Sequence, residues 1–554
     1  MAVLAASCAA LLLLPRARKR RLTAALRQRW GNPSALKRLE DDLLTDAAGY
    51  FRARARTLPA RDFVDDVTWA DLDMDEVFRR IDSTQSAVGS EVLYAMLRET
   101  GLPEDALSRR ARRIARLQSD ERARLAVQRA FSSVGTRRFH GAIRYLFGSG
   151  FGMPPRAGLY LLLGLLPIAW VLAGLLYTPL FFGLAASFAL NLVVYYRTEL
   201  RWKSEVCAVR HVASLLECAR RLTKSRPDGF EAEVDEIAAL AAPLKGLRRL
   251  CPVLAMEAPG AIDFLTDYVK ILFLSDMICL CAIVRQMEKH AAELRRLYAL
   301  IGELDACAAL AALRETSPTW CEPVFHDSLE VSAQELVHPL VSNAVPNRVV
   351  WRGGVVVTGS NASGKSTFAK AVAVNAILAQ TAFTCFARAF SLCRGRVMTS
   401  MSARDSLTRG ESSFVAELKS LQRLLGAREG VVFCFLDEIL RGTNTAERIA
   451  ASAAVLQALS GGQRLVMAAT HDAELTRMPG FDNWHFEERV EAGGVTFPYR
   501  LLPGPAKGHT AIALMRQLGF DEAIVRQAEQ NVKEQSGGEA QDAARAEDHE
   551  KPGA

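Results

Sequence analysis

Residues 355–378 read VVVTGSNASGKSTFAKAVAVNAIL, and this stretch decides the fold. Its first four residues form an apolar run typical of a buried strand, and residues 367–378 have the composition of a helix. Between them lies the pattern G-x-x-x-x-G-K-S, which binds phosphate when a strand precedes it and a helix follows it. The sequence therefore predicts an α/β P-loop nucleotide-binding domain in the C-terminal part of the chain.

The loop supplies several kinds of phosphate-binding group. Its glycines allow backbone N–H groups to wrap around phosphates, and the positive end of the following helix strengthens the attraction. Lys365 is predicted to pair with the β- and γ-phosphates of ATP, and Ser366 is predicted to bind Mg²⁺. The predicted nucleotide-binding residues are Gly359, Ser360, Asn361, Ala362, Ser363, Gly364, Lys365, Ser366 and Thr367.

Two further apolar strands are predicted to end at the same site. Residues 431–436 run directly into Asp437 and Glu438, an arrangement in which the first carboxylate holds Mg²⁺ and the second orients or deprotonates the attacking water. A strand over residues 464–469 precedes His471, which can reach a γ-phosphate because ligands bind at the carboxyl ends of such strands. The predicted catalytic residues are Lys365, Glu438 and His471, and the predicted metal ligands are Ser366 and Asp437.

The composition fits a multidomain chain with room for membrane segments. The 554 residues exceed one ordinary core, half of them are apolar, and the formal net charge is +8. This modest positive charge fits a surface near anionic lipid or nucleic acid but proves neither. The 11 cysteines lack zinc-site spacing, so we expect reduced and mostly buried thiols.

Residues 157–196 hold two apolar stretches separated by Tyr177-Thr178-Pro179. Each stretch is close to the length that crosses a hydrocarbon core of about 30 Å. We predict a transmembrane helical hairpin in the cytoplasmic membrane, with the ATPase domain in the cytosol, because basic residues flank both ends. These flanking residues are Arg156, Arg197, Arg201 and Lys203. The alternative is a buried helical hairpin in a soluble core.

Three other segments carry weaker patterns. Residues 1–30 begin with a short apolar segment followed by a basic stretch, which suits the cytosolic end of a membrane helix or, alternatively, a disordered N-terminus. Residues 268–284 are apolar but contain Lys270 and Asp276, so we predict one long, partly buried soluble helix there. Residues 536–554 are polar and charged and predict a disordered tail.

The nucleotide motifs resemble, in order, those of the MutS ATPase domain. Residues 358–367 are similar to the family pattern T-G-P-N-x-x-G-K-S-T, with Ser360 in place of the usual proline. Residues 410–418 resemble G-x-S-T-F-x-x-E-M, residues 436–445 resemble L-D-E-x-x-R-G-T-S-T, and residues 469–471 match A-T-H. The lead-in to the first strand is also similar, at His338-Pro339 and Val345-Pro346-Asn347.

The resemblance implies a composite active site. In the MutS family the signature segment of one subunit reaches the γ-phosphate that the other subunit holds. Ser412 and Ser413 would therefore act in trans, which implies a homodimer formed through the ATPase domains in the presence of ATP and Mg²⁺. Without the resemblance, the two serines would be an ordinary helix cap. DNA is the further partner that the family implies.

The resemblance also extends into the N-terminal half. Residues 81–97 look like the start of the MutS core domain, and residues 301–306 look like the end of its long lever helices. We expect no mismatch-recognition domain, because too little chain precedes residue 60. The predicted domains are a helical lever region over 64–145 and 200–316, the hairpin over 157–196 and a MutS-type ATPase domain over 320–530.

These patterns together predict a membrane-anchored MutS-related ATPase whose ATP-dependent dimerisation moves its lever helices. The alternatives are an ABC-type transporter ATPase and a membrane scaffold with a vestigial nucleotide site. Leu459-Ser460-Gly461-Gly462-Gln463 spells the ABC signature, but it follows the carboxylate pair instead of preceding it. A glycine-containing turn at the end of a helix is therefore the better interpretation of those five residues. The intact Lys365 and Glu438 argue against a vestigial site.

Overall fold

The computed structural model describes most of the chain. The described residues are 17, 19–32, 41–135, 142–148, 157–255, 261–360, 362–401, 413–491, 494–506, 512, 515–516 and 518–531. The predictions for Arg156, Asn361, Ser412, the apolar run before Leu14 and the tail over 536–554 lie outside these residues, as do the side chains of Arg201, Lys203 and Ser413.

The chain divides into two compact units. The first comprises Met1–Asp65, Asp73–Pro318 and Ile377–Thr384, and the second comprises Asp66–Leu72, Thr319–Ala376 and Cys385–Ala554.

Helices account for nearly all the regular structure before residue 320. A helix over residues 19–29 is followed by α1 (Asp41–Ala55), α2 (Asp66–Asp71), α3 (Met74–Ile81), α4 (Ala87–Arg98), α5 (Glu104–Ser119), α6 (Glu121–Phe131), α7 (Ala142–Phe147), α8 (Ala157–Leu176), α9 (Phe182–Ser225), α10 (Glu231–Ala241), α11 (Lys245–Ala255), α12 (Ala261–Phe273), α13 (Ser275–Lys289) and α14 (Ala291–Thr316). Short 3₁₀ helices lie at Ala60–Asp62 and Thr178–Phe181.

The core of the first unit joins two segments that are far apart in sequence. Asp305 of α14 is fully buried, and its carboxylate accepts hydrogen bonds from the backbone N–H groups of Gln85 and Ser86 at 3.0 and 2.8 Å. The Ser86 hydroxyl in turn accepts from the backbone N–H of Gly89 and so caps the N-terminus of α4. A β-carbon at Gly89 would lie 2.3 Å from the Asp305 carboxylate, so this position requires glycine. The two segments that resemble the MutS core domain, residues 81–97 and 301–306, therefore meet in one buried contact.

The apolar stretches form helices that are long and apolar enough to cross a membrane. They cover Ala157–Leu176 and Thr178–Thr198. A helix buried in a soluble core would cover most of its side chains, whereas here Leu162 is 64% exposed and Leu176 is 91% exposed. The second helix does not end at residue 196, because α9 continues without a break to Ser225.

The prediction of one long helix over residues 268–284 is wrong. The helix breaks at Leu274, whose backbone is left-handed with φ +49°, so that α12 ends at Phe273 and α13 begins at Ser275. No proline or glycine marks this break in the sequence. It is set by packing, since Leu274 is fully buried against Tyr160 and Leu163 of α8.

The second unit is a layered α/β structure. Its strands are β1 (Val324–Phe325), β2 (Val331–Leu336), β3 (Asn347–Trp351), β4 (Gly354–Thr358), β5 (Ala389–Leu392), β6 (Arg396–Ser400), β7 (Val432–Asp437), β8 (Arg464–Ala469), β9 (Phe481–Phe486), β10 (Arg489–Glu491), β11 (Gly494–Thr496) and β12 (Leu501–Pro503). Its helices are α15 (Lys365–Ala382), α16 (Ser413–Gly426), α17 (Thr445–Leu459), a 3₁₀ helix at Ala473–Arg477 and a helix over residues 522–531. The last turn of α15 groups with the first unit.

The central sheet sets the position of the functional site. Its strand order is β12-β9-β4-β8-β7-β6, with parallel pairing throughout except between β12 and β9. Strand β8 lies between β4 and β7, and its last residue, Ala469, pairs with Val357 on one side and Asp437 on the other. The carboxyl ends of these three strands therefore lie side by side. Strands β1, β5, β2 and β3 form a second sheet, and β10 pairs with β11.

A segment from the N-terminal half completes the second unit. Helix α2 lies beside β6, where the buried Asp71 carboxylate accepts from the Thr399 hydroxyl at 2.7 Å and from the backbone N–H of Met401 at 3.0 Å. Burial raises the pKa of Asp71, and the two hydrogen bonds oppose that rise. The sequence offered no sign that residues 66–72 group with the unit that otherwise begins at residue 319.

Candidate nucleotide-binding site

The loop between β4 and α15 has the backbone conformation that a phosphate cradle requires. Gly359 and Gly364 have φ values of +146° and +106°, which side-chain-bearing residues rarely adopt. A β-carbon at Gly359 would also lie 2.9 Å from the Phe486 carbonyl oxygen. The two glycines thus turn the chain sharply so that the loop can lead directly into the N-terminus of α15 at Lys365.

Lys365 is held inside the loop by the loop's own backbone. Its ammonium donates to the carbonyl oxygens of Gly359 and Ser360, each at 2.7 Å. Burial lowers the pKa of Lys365, while the carboxylates of Glu438 and Asp437 act to raise it. An ammonium has three donor protons, so two fix its position and the third is available to a phosphate oxygen.

Asp437, at the end of β7, offers an oxygen suited to a cation. One carboxylate oxygen accepts from the Ser366 hydroxyl, whereas the buried Oδ1 has no hydrogen-bond partner among the described residues. Burial raises the pKa of Asp437, and the Ser366 hydrogen bond and Lys365 counteract the rise. A buried carboxylate oxygen without a partner, beside a hydroxyl, fits Mg²⁺, which binds through one or two protein oxygens together with phosphates and water. Among the described residues no cluster of three or more His, Cys, Asp or Glu could hold a metal alone.

Glu438 lies next to Asp437 in a strained and buried position. Its φ is +49°, and its backbone N–H donates to the Ala469 carbonyl at 2.8 Å, which ties the residue to the end of β8. The carboxylate forms an ion pair with Arg441 and lies 3.4 Å from Nδ1 of His471. Left-handed backbone in a non-glycine residue is costly and is often found at functional sites. His471 is about half exposed, so its ring is open to a ligand.

A cavity of about 520 Å³ lies at this site. The loop residues Ser360, Lys365 and Ser366 line it on one side together with Glu438. The remaining lining residues come from the segment between β2 and β3, from α15 and from the last strands, and they include His338, Val341, Asn347, Phe368, Arg441, Phe486 and Tyr499. The cavity thus has a charged end at the loop and a largely apolar end that suits a base.

Tyr499 is a site residue that the sequence analysis missed. Its ring lies over the loop, 3.1 Å from where a β-carbon of Gly364 would stand, and stacks on Phe497 with ring centroids 6.1 Å apart. Asn347 fixes its backbone, because the Asn347 amide donates to the Tyr499 carbonyl and accepts from the N–H of Leu501. Asn347 belongs to the lead-in motif, which the sequence already linked to the first strand. Nothing in the sequence around Tyr499 connects that residue with the loop.

Ser360, the residue that replaces the usual proline, has a specific partner. Its backbone N–H donates to the Glu488 carboxylate at 3.1 Å, and proline has no N–H with which to make this bond. Glu488 therefore lies beside the phosphate loop, where its charge also acts to raise the pKa of Lys365. Glu488 was not among the predicted site residues.

The structure brings together five of the predicted residues in the second unit, namely Lys365, Ser366, Asp437, Glu438 and His471. Ser413 is the first residue of α16. Glu417, in the same signature motif, has a half-buried carboxylate that accepts from the backbone N–H of Leu440, just after the carboxylate pair. Residues 459–463 form the turn that ends α17, with Ser460 as the C-cap and Gly462 at φ +72°, and they do not line the cavity.

Comparison with known proteins agrees with this geometry. A family model described as MutS domain V matches residues 355–536. Residues 355–536 of the chain are therefore a MutS-related domain. MutS domain V is a P-loop ATPase-type domain. The matched residues include the loop, the carboxylate pair and His471.

Curated proteins similar to part of this chain are named DNA mismatch repair protein MutS. The protein from Thermus aquaticus is 33% identical over 253 residues, which are 44% of this chain and 31% of the relative. Those from Aquifex pyrophilus and Natronomonas pharaonis are each 32% identical, over 43% and 42% of this chain and 29% and 28% of the relatives. The matched part thus spans less than a third of each of these relatives.

Proposed function

We propose that this MutS-related chain is an ATP hydrolase, anchored in the cytoplasmic membrane, whose ATPase domains pair around bound nucleotide. The observation that carries the proposal is that Lys365, Ser366 and Glu438 line one cavity at the carboxyl ends of three adjacent strands, with Asp437 beside Ser366 and His471 beside Glu438. ATP hydrolysis requires a phosphate cradle, a cation site and a group that activates water, and these residues are suited to all three tasks.

The loop and its lysine perform the binding step. Backbone N–H groups of the loop would hold the phosphate oxygens, and the Lys365 ammonium would donate its remaining hydrogen bond to a β- or γ-phosphate oxygen. Mg²⁺ held by Ser366 and Asp437 would neutralise charge on the same phosphates. Tyr499 offers its ring to the adenine at the apolar end of the cavity.

Glu438 and His471 perform the hydrolytic step. Glu438 orients the attacking water and accepts its proton, because its carboxylate is buried beside the end of β8 and is aimed into the cavity. Its carboxylate pairs with the more exposed Arg441, which would move aside when a water binds there. His471, held 3.4 Å from the same carboxylate, donates to the γ-phosphate as charge develops there.

Pairing of two chains completes the site. By resemblance to the MutS family, Ser412 and Ser413 of one chain contact the γ-phosphate held by the other. Support comes from α16, which begins at Ser413 and is connected to the residues after the carboxylate pair through Glu417 and Leu440. Closing and opening of the dimer would move the lever helices of the first unit.

The hairpin anchors the chain. Its two helices are long enough to cross a bilayer and leave large apolar side chains such as Leu162 and Leu176 exposed. Exposed Arg197 lies at the C-terminal end of the second apolar stretch, which supports a cytosolic position of the ATPase domain, where ATP is available.

DNA is the partner that the relatives' names suggest, since they are DNA mismatch repair proteins. We propose DNA binding without mismatch recognition as a further property. The test is ATP hydrolysis by the detergent-purified full chain, with and without duplex DNA, over a salt titration. Hydrolysis is expected in both cases, with salt-sensitive stimulation by DNA. If DNA has no effect on hydrolysis, the proposed DNA binding is contradicted and the proposed ATPase activity stands. If no hydrolysis occurs in any condition, the ATPase proposal is contradicted.

A further inference from the structure

The hairpin contains a buried polar side chain with two unusual acceptors. Asn191 of α9 is fully buried, and its amide donates to the carbonyl oxygens of Leu163 in α8 and Leu272 in α12, at 3.1 and 2.7 Å. In a regular helix the Leu163 carbonyl accepts from residue 167, but Pro167 has no N–H. The Leu272 carbonyl lies in the last turn of α12, where carbonyls lack partners within the helix. One amide therefore satisfies the two carbonyls that a proline and a helix end leave open.

The break between α12 and α13 packs closely against the hairpin. A β-carbon at Gly164 would lie 2.3 Å from the Phe273 carbonyl oxygen, so glycine is required for the approach. Leu274 and Met277 join Tyr160 and Leu163 of α8 in one buried apolar cluster, against which Tyr195 also packs. The contact is as tight as a helix contact in a protein core.

Successive contacts align α12 with the apolar part of α9. The ring of Tyr268 stacks on Phe188 with centroids 5.9 Å apart, Leu272 follows at Asn191, and Leu274 follows near Tyr195. These positions on α9 cover residues 188–195, which is about 10 Å of helix. All of them lie within the apolar stretch Thr178–Thr198. Residues 268–274 therefore share the environment of that apolar stretch, whether lipid or water.

The charges of this segment are arranged as a membrane requires. The Lys270 ammonium lies 3.8 Å from the Asp276 carboxylate and 3.9 Å from that of Asp267, so it is shared between two carboxylates. The outer face of the segment carries Tyr268 and Val269, whose side chains are 44% and 49% exposed. Exposed basic residues, which suit lipid headgroups, flank the segment at Lys245, Arg248, Arg249, Arg285 and Lys289.

We propose that residues 268–281, the broken helix, enter the hydrocarbon layer beside the hairpin and that Val269 faces lipid acyl chains. Helices α12 and α13 have 13 and 15 residues, so neither crosses a bilayer alone. Irregular backbone at membrane depth is stable where protein covers it, and Asn191 and Gly164 cover the carbonyls of Leu272 and Phe273 just before the break. This inference rests on the proposed membrane anchoring of the hairpin.

Quenching of tryptophan fluorescence by lipids brominated on their acyl chains tests the broken helix. The full chain is reconstituted in brominated and in ordinary lipid vesicles, and Trp170 of α8 serves as the native reporter for the hairpin. Trp170→Phe is expected to remove most of the quenching. Adding Val269→Trp to that variant is expected to restore quenching of similar size, whereas adding Val350→Trp, at a position exposed on β3 of the second unit, is expected to restore none.

The outcomes separate the two claims. If Trp170 is quenched and Val269→Trp responds no more than Val350→Trp, the broken helix lies outside the hydrocarbon, or a second copy covers it, and the inference is overturned while the hairpin anchor stands. If Trp170 itself is not quenched, the anchor and the inference both fail. A second variant, Lys270→Leu, removes the ammonium that lies near both carboxylates and is expected to reduce the quenching at position 269. Unchanged quenching there would also count against insertion.

Discussion

The Asp305 carboxylate accepts two hydrogen bonds from Ser86, one from its backbone N–H at 2.8 Å and one from its hydroxyl at 2.6 Å. The two residues are fully buried, and they connect the middle of α14 with the first turn of α4. A buried acceptor that serves several donors cannot be removed without leaving those donors unsatisfied. This contact therefore fixes the packing of the helical unit.

Asp305→Ala is expected to lower the free energy of unfolding by about 3 kcal/mol or more, because the donors of Gln85 and Ser86 lose their acceptor in the core. Urea unfolding followed by circular dichroism measures the effect. Asp235→Ala is the matched control, since Asp235 pairs with Arg226 on the surface and its loss should cost under about 1 kcal/mol. Equal effects of the two substitutions would show that the buried contact stabilises the fold no more than a surface ion pair does.

Lys365→Ala is expected to abolish ATP binding, or to weaken it beyond detection, because the site loses the cation that faces the β- and γ-phosphates. Binding of a fluorescent ATP analogue to the purified chain measures this. Arg388→Ala removes an exposed positive charge elsewhere in the same unit and should leave binding unchanged. If Lys365→Ala binds the analogue as the parent does, the cavity at the loop is not the nucleotide site.

Tyr499→Ala is expected to weaken ATP binding by about 1–3 kcal/mol, the usual worth of an aromatic ring stacked on a base. Tyr499→Phe keeps the ring and should bind nearly as the parent does. Inorganic triphosphate has no base, so its affinity should be the same in all three proteins. A loss of triphosphate binding in Tyr499→Ala would mean that the ring supports the loop rather than the base.

The orientation of the hairpin is tested by labelling introduced cysteines in intact cells. Thr178→Cys should react weakly with an impermeant thiol reagent from outside, because the turn is short, and Ser342→Cys should react only after permeabilisation. The parent chain gives the background from its own cysteines. Equal labelling of both positions, or release of the protein by carbonate washing, would show that the hairpin is part of a soluble core.

Local patterns were sufficient to predict which groups lie together at the proposed phosphate site. The glycine loop, the Asp437 and Glu438 pair and His471 each follow a strand directly, and parallel strands bring their carboxyl ends together. Contacts between distant segments were not predictable in this way. Tyr499 and Glu488 reach the loop from later strands, and Asp71 reaches β6 from the N-terminal half.

The break at Leu274 shows the same limit for helices. Residues 268–284 have good helical composition, and the left-handed Leu274 is stable because its side chain fills a site between α8 and α9. The energy of that packing outweighs the local preference for a continuous helix. The role of Asn191 was equally impossible to predict from the sequence, since it depends on two carbonyls in other helices.

The central claim is an ATPase that forms a dimer around its nucleotide. Glu438→Gln should still bind ATP, because Lys365, Ser366 and Asp437 are unchanged, and should hydrolyse it roughly 100-fold more slowly, because the group that accepts the proton of water is lost. The most direct measurement is sedimentation velocity of this variant in detergent, with and without ATP and Mg²⁺. The account predicts a monomer without nucleotide and a dimer with it. A monomer in both conditions would contradict it.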